Sequence, residues 1–203
     1  VGKDGFLFFR GSLEYIVSGD LQKQKNNPFP AIVDYKEKLE EKGIDMLFVI
    51  IPAKPEVFPE KVSDSVLENG KPYVTPYTRK FLLELAEAGV ETIDLLPAFI
   101  EVRNEDDKQI YMTQDTHWSN RAVRIAAEII ADRIKQYPWY SEVCKSPIEY
   151  QTKEADFVRN GDIRGMLPES EKLKYRPMKL TAQQVLNPDG SYYSDDKSSP
   201  VVL

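Results

Sequence analysis

Three stretches of the chain repeat apolar residues at the spacing of a helix face, and two of them run straight into unbroken apolar runs. Phe29, Ile32, Val33 and Leu39 recur at helical intervals up to Gly43, a natural helix terminator, and Ile44 to Ile51 then runs almost entirely apolar to Pro52. The order repeats downstream. Phe81, Leu82, Leu85 and Ala88 share one face of Tyr77 to Ala88, Gly89 stops the pattern, and Val90 to Leu95 forms a second run before Pro97. Runs this apolar predict strands covered on both faces. Two helix–Gly–strand–Pro units in series predict an α/β domain with right-handed crossovers.

The third stretch, with Ala122, Ile125, Ala126, Ile129, Ile130 and Ile134, predicts an amphipathic helix ending near Tyr137-Pro138, with Ser119 or Asn120 as its N-cap. A β-type run, Gln109 to Thr113, leads towards it. The opening, Gly2 to Phe9, reads as a Gly-punctuated turn and a short apolar run, an edge strand or hairpin over the core. Beyond Pro138 regularity falls away into an irregular C-terminal excursion over the sheet. Arg159-Asn160-Gly161-Asp162 and Asn187-Pro188-Asp189-Gly190 mark turns there, with a hairpin expected from about Lys174 to Tyr193. Trp139 and Tyr140 suit either a sugar-stacking wall or ordinary packing. Pro200 to Leu203 resembles the start of another buried strand, so the polypeptide is expected to continue; Val1, without a methionine, fits an excised or mature segment.

Composition narrows the class. With 203 residues, 41% of them hydrophobic and 11% aromatic, the chain can bury a core as one domain and is not of the disordered kind. A net charge of −6 argues against nucleic acid as a partner, because phosphate binding needs clustered Lys and Arg. The single cysteine, Cys144, can form neither an internal disulfide nor a cysteine-based metal site. No apolar run approaches the ~20 residues of a membrane-spanning helix.

The candidate chemistry lies in Thr113-Gln114-Asp115-Thr116-His117-Trp118-Ser119, which holds the only histidine. Imidazole is the usual proton carrier near neutral pH, and a neighbouring carboxylate can fix its tautomer. Asp115 and His117 are therefore candidate catalytic residues; a surface or capping histidine is the alternative. A metal is not expected: Asp115 and His117 give two ligands, and a catalytic zinc site wants a third, usually His or Cys. Lys54 follows the first predicted strand, where open α/β sheets bind ligands. It either faces a ligand or is an exposed lysine in a Pro-stiffened loop. Asp94 either faces the site or caps a turn, with capping favoured.

In sequence order, Gly2-Lys3-Asp4-Gly5-Phe6-Leu7-Phe8, Ile51-Pro52-Ala53-Lys54 with Phe58-Pro59-Glu60, Asp115-Thr116-His117-Trp118-Ser119 and Gly161-Asp162 resemble the SGNH-hydrolase-like domain of the alginate O-acetyltransferase family, the AlgJ/AlgX type. The resemblance spans nearly the whole chain. It implies a flavodoxin-like three-layer α/β/α sandwich with a mostly parallel sheet. It also implies a periplasmic or cell-envelope location, a polysaccharide acceptor, an acetyl donor, other envelope polysaccharide-modification proteins as partners, and no cofactor. The family's catalytic Asp and His fall on Asp115 and His117. Its serine nucleophile, in a Gly-x-Ser block after a later strand, would lie beyond residue 203, so none is assigned within the chain. Trp118 either packs to fix the histidine loop, the favoured reading, or binds sugar. A carbohydrate acetylesterase and a non-catalytic polysaccharide-binding or assembly component remain alternatives.

Overall fold

The computed structural model describes residues 1–63, 67–68, 71–72, 76–103 and 109–194. The expected strand at Pro200 to Leu203 lies outside these residues. The two predicted αβ units are both present: helix Phe29–Glu40 leads to strand Leu47–Ile50, and helix Pro76–Glu87 leads to strand Glu91–Asp94. The strands pair in parallel, with Leu47 opposite Glu91 and Ile50 opposite Asp94.

Each helix stops for the same local reason. Gly43 and Gly89 take φ values of +69° and +79°, a left-handed conformation that glycine adopts without a Cβ clash. The following amides then fold back on the last turn, Ile44 N–H onto Leu39 at 3.0 Å and Val90 N–H onto Leu85 at 2.9 Å. This Schellman arrangement satisfies carbonyls that the helix leaves orphaned and turns the chain directly into the strand. Asp94 caps the next turn, accepting from Leu96 N–H at 3.0 Å.

Several elements differ from the sequence expectation. The strand residues are half-buried rather than covered on both faces, because the parallel sheet has only these two strands among the described residues. The opening residues form a turn, with Asp4 and Gly5 at positive φ, and no regular strand. Phe6 and Leu7 are nevertheless buried, and Leu7 N–H donates to the Thr113 carbonyl at 2.8 Å. The loop expected after the first strand winds into two short helical turns, Lys54–Val57 and Pro59–Val62, each with a proline in its first two positions.

The largest correction concerns the C-terminal excursion. It contains a regular antiparallel ribbon, Gln151–Arg159 against Met178–Leu186, joined by an 18-residue connection rather than a tight turn. The expected Lys174–Tyr193 hairpin thus captures one strand and misses its partner. The first strand is exposed along nearly its whole length and shows no apolar–polar alternation, whereas Met178, Leu180 and Ala182 of the second alternate with exposed polar residues over only six positions.

The main core gathers Phe6, Val57, Phe58, Leu95, Leu96, Phe99, Ile110, Tyr111, Ala122 and Ala126. It joins the opening turn, the segments beyond both parallel strands and the first turns of helix Asn120–Ile134. The histidine loop rests on this cluster. Replacing Phe99, which has no exposed surface, by alanine should cost about 3–5 kcal/mol, read as a fall in the urea midpoint with an unchanged slope.

Candidate active site

The histidine loop is the connection of a small hairpin. Ile110–Met112 forms one arm and His117–Ser119 the other: Ser119 N–H donates to the Ile110 carbonyl at 2.7 Å, Met112 N–H to His117 at 3.3 Å, and Tyr111 bridges Trp118. The predicted Gln109–Thr113 run is thus one short arm. Ile110 and Tyr111 are buried, and the Tyr111 hydroxyl donates to the Pro52 carbonyl just past strand Leu47–Ile50. The returning arm ends in helix Asn120–Ile134, whose N-cap is Ser119; its Oγ accepts from Ala122 N–H. Trp118 is half-buried and packs on Phe99, ring centroids 6.1 Å apart.

Asp115 and His117 meet within this loop. The Asp115 Oδ1 atom is 2.6 Å from His117 Nδ1 and accepts from the His117 backbone N–H at 3.0 Å. The second contact is an Asx turn, which fixes the ring's backbone relative to the carboxylate. Asp115 has no exposed surface, whereas the His117 side chain is 59% exposed. With Nδ1 turned to the acid, Nε2 is the nitrogen left to face an incoming hydroxyl.

A buried carboxylate needs partners, and two of them come from outside the loop. Arg159, at the end of the first ribbon strand, donates from Nε to Asp115 Oδ2 at 2.6 Å, and Asp162 N–H adds a bond of 3.1 Å. Burial pushes the Asp115 carboxyl up, but Arg159 and the N–H donors of His117 and Asp162 outweigh it and hold the group well below the usual carboxylate range. Asp162 also fastens the loop through its side chain. It accepts from the Thr116 N–H at 2.7 Å and from the Thr116 hydroxyl, and its Oδ2 lies 3.4 Å from His117 Nδ1.

Gly161 permits this approach. Its φ is +80°, and a Cβ there would lie 2.3 Å from the Gln114 carbonyl oxygen. Sequence reading took Arg159-Asn160-Gly161-Asp162 only as a turn and, for Gly161-Asp162, as part of a family pattern. No spacing rule links residues 44 and 47 positions from Asp115 to its carboxylate.

Lys54 departs from the exposed-lysine reading. It is buried, and its ammonium donates to the carbonyls of Leu7 and Thr113, both at 2.7 Å, and of Asp115 at 3.2 Å. Three acceptors take up its three donors. Burial pulls its pKa down to about 7, opposed by the Asp115 and Asp162 carboxylates. Lys54 therefore ties the opening turn to both ends of the Thr113–Asp115 segment.

Asp115, His117 and Asp162 also bring potential ligand atoms within 4.8 Å of one another. Asp162 thus offers a third ligand, a carboxylate rather than the usual His or Cys. The donors already present argue for a hydrogen-bonded dyad: both Asp115 oxygens accept two bonds each, and a cation there would displace or repel the Arg159 guanidinium.

Residues 1–203 match the family described as SGNH hydrolase-like domain, acetyltransferase AlgX. The chain belongs to this family. Among curated relatives, the probable alginate O-acetylase AlgJ of Pseudomonas syringae is 24% identical over 176 residues, covering 83% of this chain and 41% of that protein. The alginate biosynthesis protein AlgX of Pseudomonas aeruginosa is 30% identical over 117 residues, 56% of this chain and 24% of that one. The chain thus spans well under half the length of these relatives.

Two solved structures share the fold. The O-acetyltransferase domain of Pseudomonas putida AlgJ matches with a TM-score of 0.68 at 20% identity, covering 93% of this chain and 65% of that one. Pseudomonas aeruginosa AlgX matches with 0.68 at 21%, covering 92% and 44%. The SGNH-hydrolase-like fold of this α/β chain follows from these matches. No helix among the described residues is long and apolar enough to cross a membrane.

Two outcomes check the site. Gly161→Ala should destabilise far more than Gly43→Ala, where an added Cβ meets nothing within 4 Å and only the left-handed backbone costs about 1 kcal/mol; paired chemical denaturation reads the difference. Because the folded-state pKa of Asp115 lies below its unfolded value, its contribution is present above about pH 4 and is lost as pH falls towards the folded value. Asp115→Asn should flatten that acid limb of the urea midpoint plotted against pH.

Proposed function

We propose that this chain is the catalytic domain of a polysaccharide O-acetyltransferase, with His117 as the general base and Asp115 as its orienting acid. One observation carries the reading: a fully buried, four-fold hydrogen-bonded carboxylate sits 2.6 Å from Nδ1 of a half-exposed imidazole. That arrangement suits proton transfer through Nε2. The alginate O-acetylase and AlgX names of its relatives supply the reaction class.

The chemistry then runs in two displacements. A serine from beyond residue 203 gives its hydroxyl proton to His117 Nε2 and attacks the donor's acetyl carbonyl; the donor leaves with the proton, and an acetyl-serine remains. His117 next takes the proton of a sugar hydroxyl, whose oxygen attacks the ester, and returns it to the serine. Asp115 stays ionised throughout and stabilises the imidazolium. Lys54 and Trp118 serve in this reading to hold the loop, not to touch substrate. The parallel pair Leu47–Ile50 and Glu91–Asp94 would extend into a mostly parallel sheet between helical layers, with the whole in the periplasm or cell envelope beside other polysaccharide-modifying proteins.

The test is an acetyl-ester donor assay on the full-length protein, with and without an oligosaccharide acceptor. Acetyl should appear on the acceptor. Acetate release indifferent to acceptor would instead make the protein an esterase. His117→Ala should abolish transfer with the fold intact, and Asp115→Asn should lower kcat by about 10³–10⁴-fold.

A further inference from the structure

Arg159 and Asp162, the two outside donors to Asp115, are separated only by Asn160-Gly161. Asparagine followed by glycine can react with its own main chain, because glycine has no side chain to hinder the approach. The Gly161 amide nitrogen attacks the Asn160 side-chain carbonyl carbon, closing a succinimide ring and expelling the side-chain nitrogen as ammonia. Water then opens the ring at either of its carbonyls. One opening leaves an ordinary aspartate at position 160. The other leaves isoaspartate, whose main chain runs through Cβ and Cγ and whose former main-chain carbonyl becomes a free carboxylate.

Both reacting groups are uncommitted. Asn160 is exposed and Gly161 half-buried, and neither the Asn160 amide nor the Gly161 N–H makes a hydrogen bond among the described residues. Comparable dipeptides elsewhere are engaged or blocked. Asp4, before Gly5, is bonded to Lys61, and Asp189, before Gly190, accepts from the Ser191 N–H and hydroxyl. Those partners hold both as carboxylates, which a nitrogen attacks poorly. Asn187 precedes Pro188, which has no N–H. Asn69-Gly70 lies outside the described residues.

The isoaspartate form cannot keep the brace on Asp115. It adds one carbon to the main chain, about 1.5 Å, between the two donors. Their bonds to Asp115 Oδ2 are 2.6 and 3.1 Å long, and a displacement of that size takes either beyond bonding reach. Little slack exists on either side. Arg159 is fixed by its ribbon partner Met178, and at Gly161 a Cβ would already lie 2.3 Å from the Gln114 carbonyl oxygen.

We propose that Asn160-Gly161 is a self-modification site: its conversion to isoaspartate releases Asp115 from Arg159 and Asp162 and so disables the His117 dyad with age. Only the loss of transfer rests on the transferase reading; the modification and the lost brace are read without turnover. The full-length protein is aged in mildly alkaline buffer, which favours the attacking amide, and sampled by tryptic peptide mapping. Cleavage at Arg159 and Arg164 frees the segment Asn160–Arg164, on which isoaspartate should accumulate.

As it does, the acid limb of the urea midpoint plotted against pH should flatten in proportion, as in Asp115→Asn, and acetyl transfer should fall by the same fraction. Asn160→Gln, whose ring closure is far slower, should age without either loss. Asn160→Asp adds the charge at normal chain length and should begin with its acid limb intact. Absence of isoaspartate from that segment, an acid limb unchanged as isoaspartate rises, or equal loss in Asn160→Gln would overturn the proposal. Transfer undiminished in the converted protein would overturn it too. A brace lost in step with isoaspartate, in a protein that transfers no acetyl even when fresh, would refute the transferase reading and keep the modification site.

Discussion

The ionised carboxylate of Asp115, sealed from water, sets the terms for everything around it. An isolated buried charge is prohibitive, so the fold must deliver donors to both oxygens, and it does so from two directions. The loop itself offers the backbone and ring of His117, and the distant end of the ribbon offers Arg159 and the Asp162 amide. The same contacts that make the charge tolerable fix the direction in which the imidazole points. Stability and chemistry therefore draw on one set of hydrogen bonds.

Around this centre the rest of the chain acts as a frame. The core cluster under the loop, the Tyr111 bond to Pro52 and the three carbonyl contacts of Lys54 hold the loop at the carboxyl end of strand Leu47–Ile50. That is where the crossover topology of an α/β sheet leaves room for a ligand. Lys54 does this from inside, joining three segments that no helix or strand connects.

Much of this arrangement is written locally and was readable as such. Gly43, Gly89 and the Ser119 cap announce helix ends because each works through its own backbone, and the Asp-x-His spacing lies within one loop. Only half of the ribbon could be read, because Gln151–Arg159 is exposed along nearly its whole length and lacks the burial that writes a pattern into sequence, whereas Met178–Leu186 begins with alternating half-buried apolar and exposed polar residues. Arg159 was read only as a turn residue, and Asp162 only as a turn residue within a family pattern, because their role arises from closure across more than forty positions. Of the two alternatives for Lys54, the exposed one fails because three carbonyls replace the water that a lysine's type suggests.

The distance along the chain between the acid and its partners has a bearing on how the molecule is made. The αβ units rest on near neighbours and can form as soon as they leave the ribosome, but the carboxylate at 115 gains its guanidinium 44 residues later and its amide donor 47 residues later. Contacts of such long reach close late. During synthesis the acid must stay hydrated until the ribbon swings in, so the Asp115–His117 pair is among the last features to mature, and a nascent chain released short of Asp162 would carry the histidine without a braced acid.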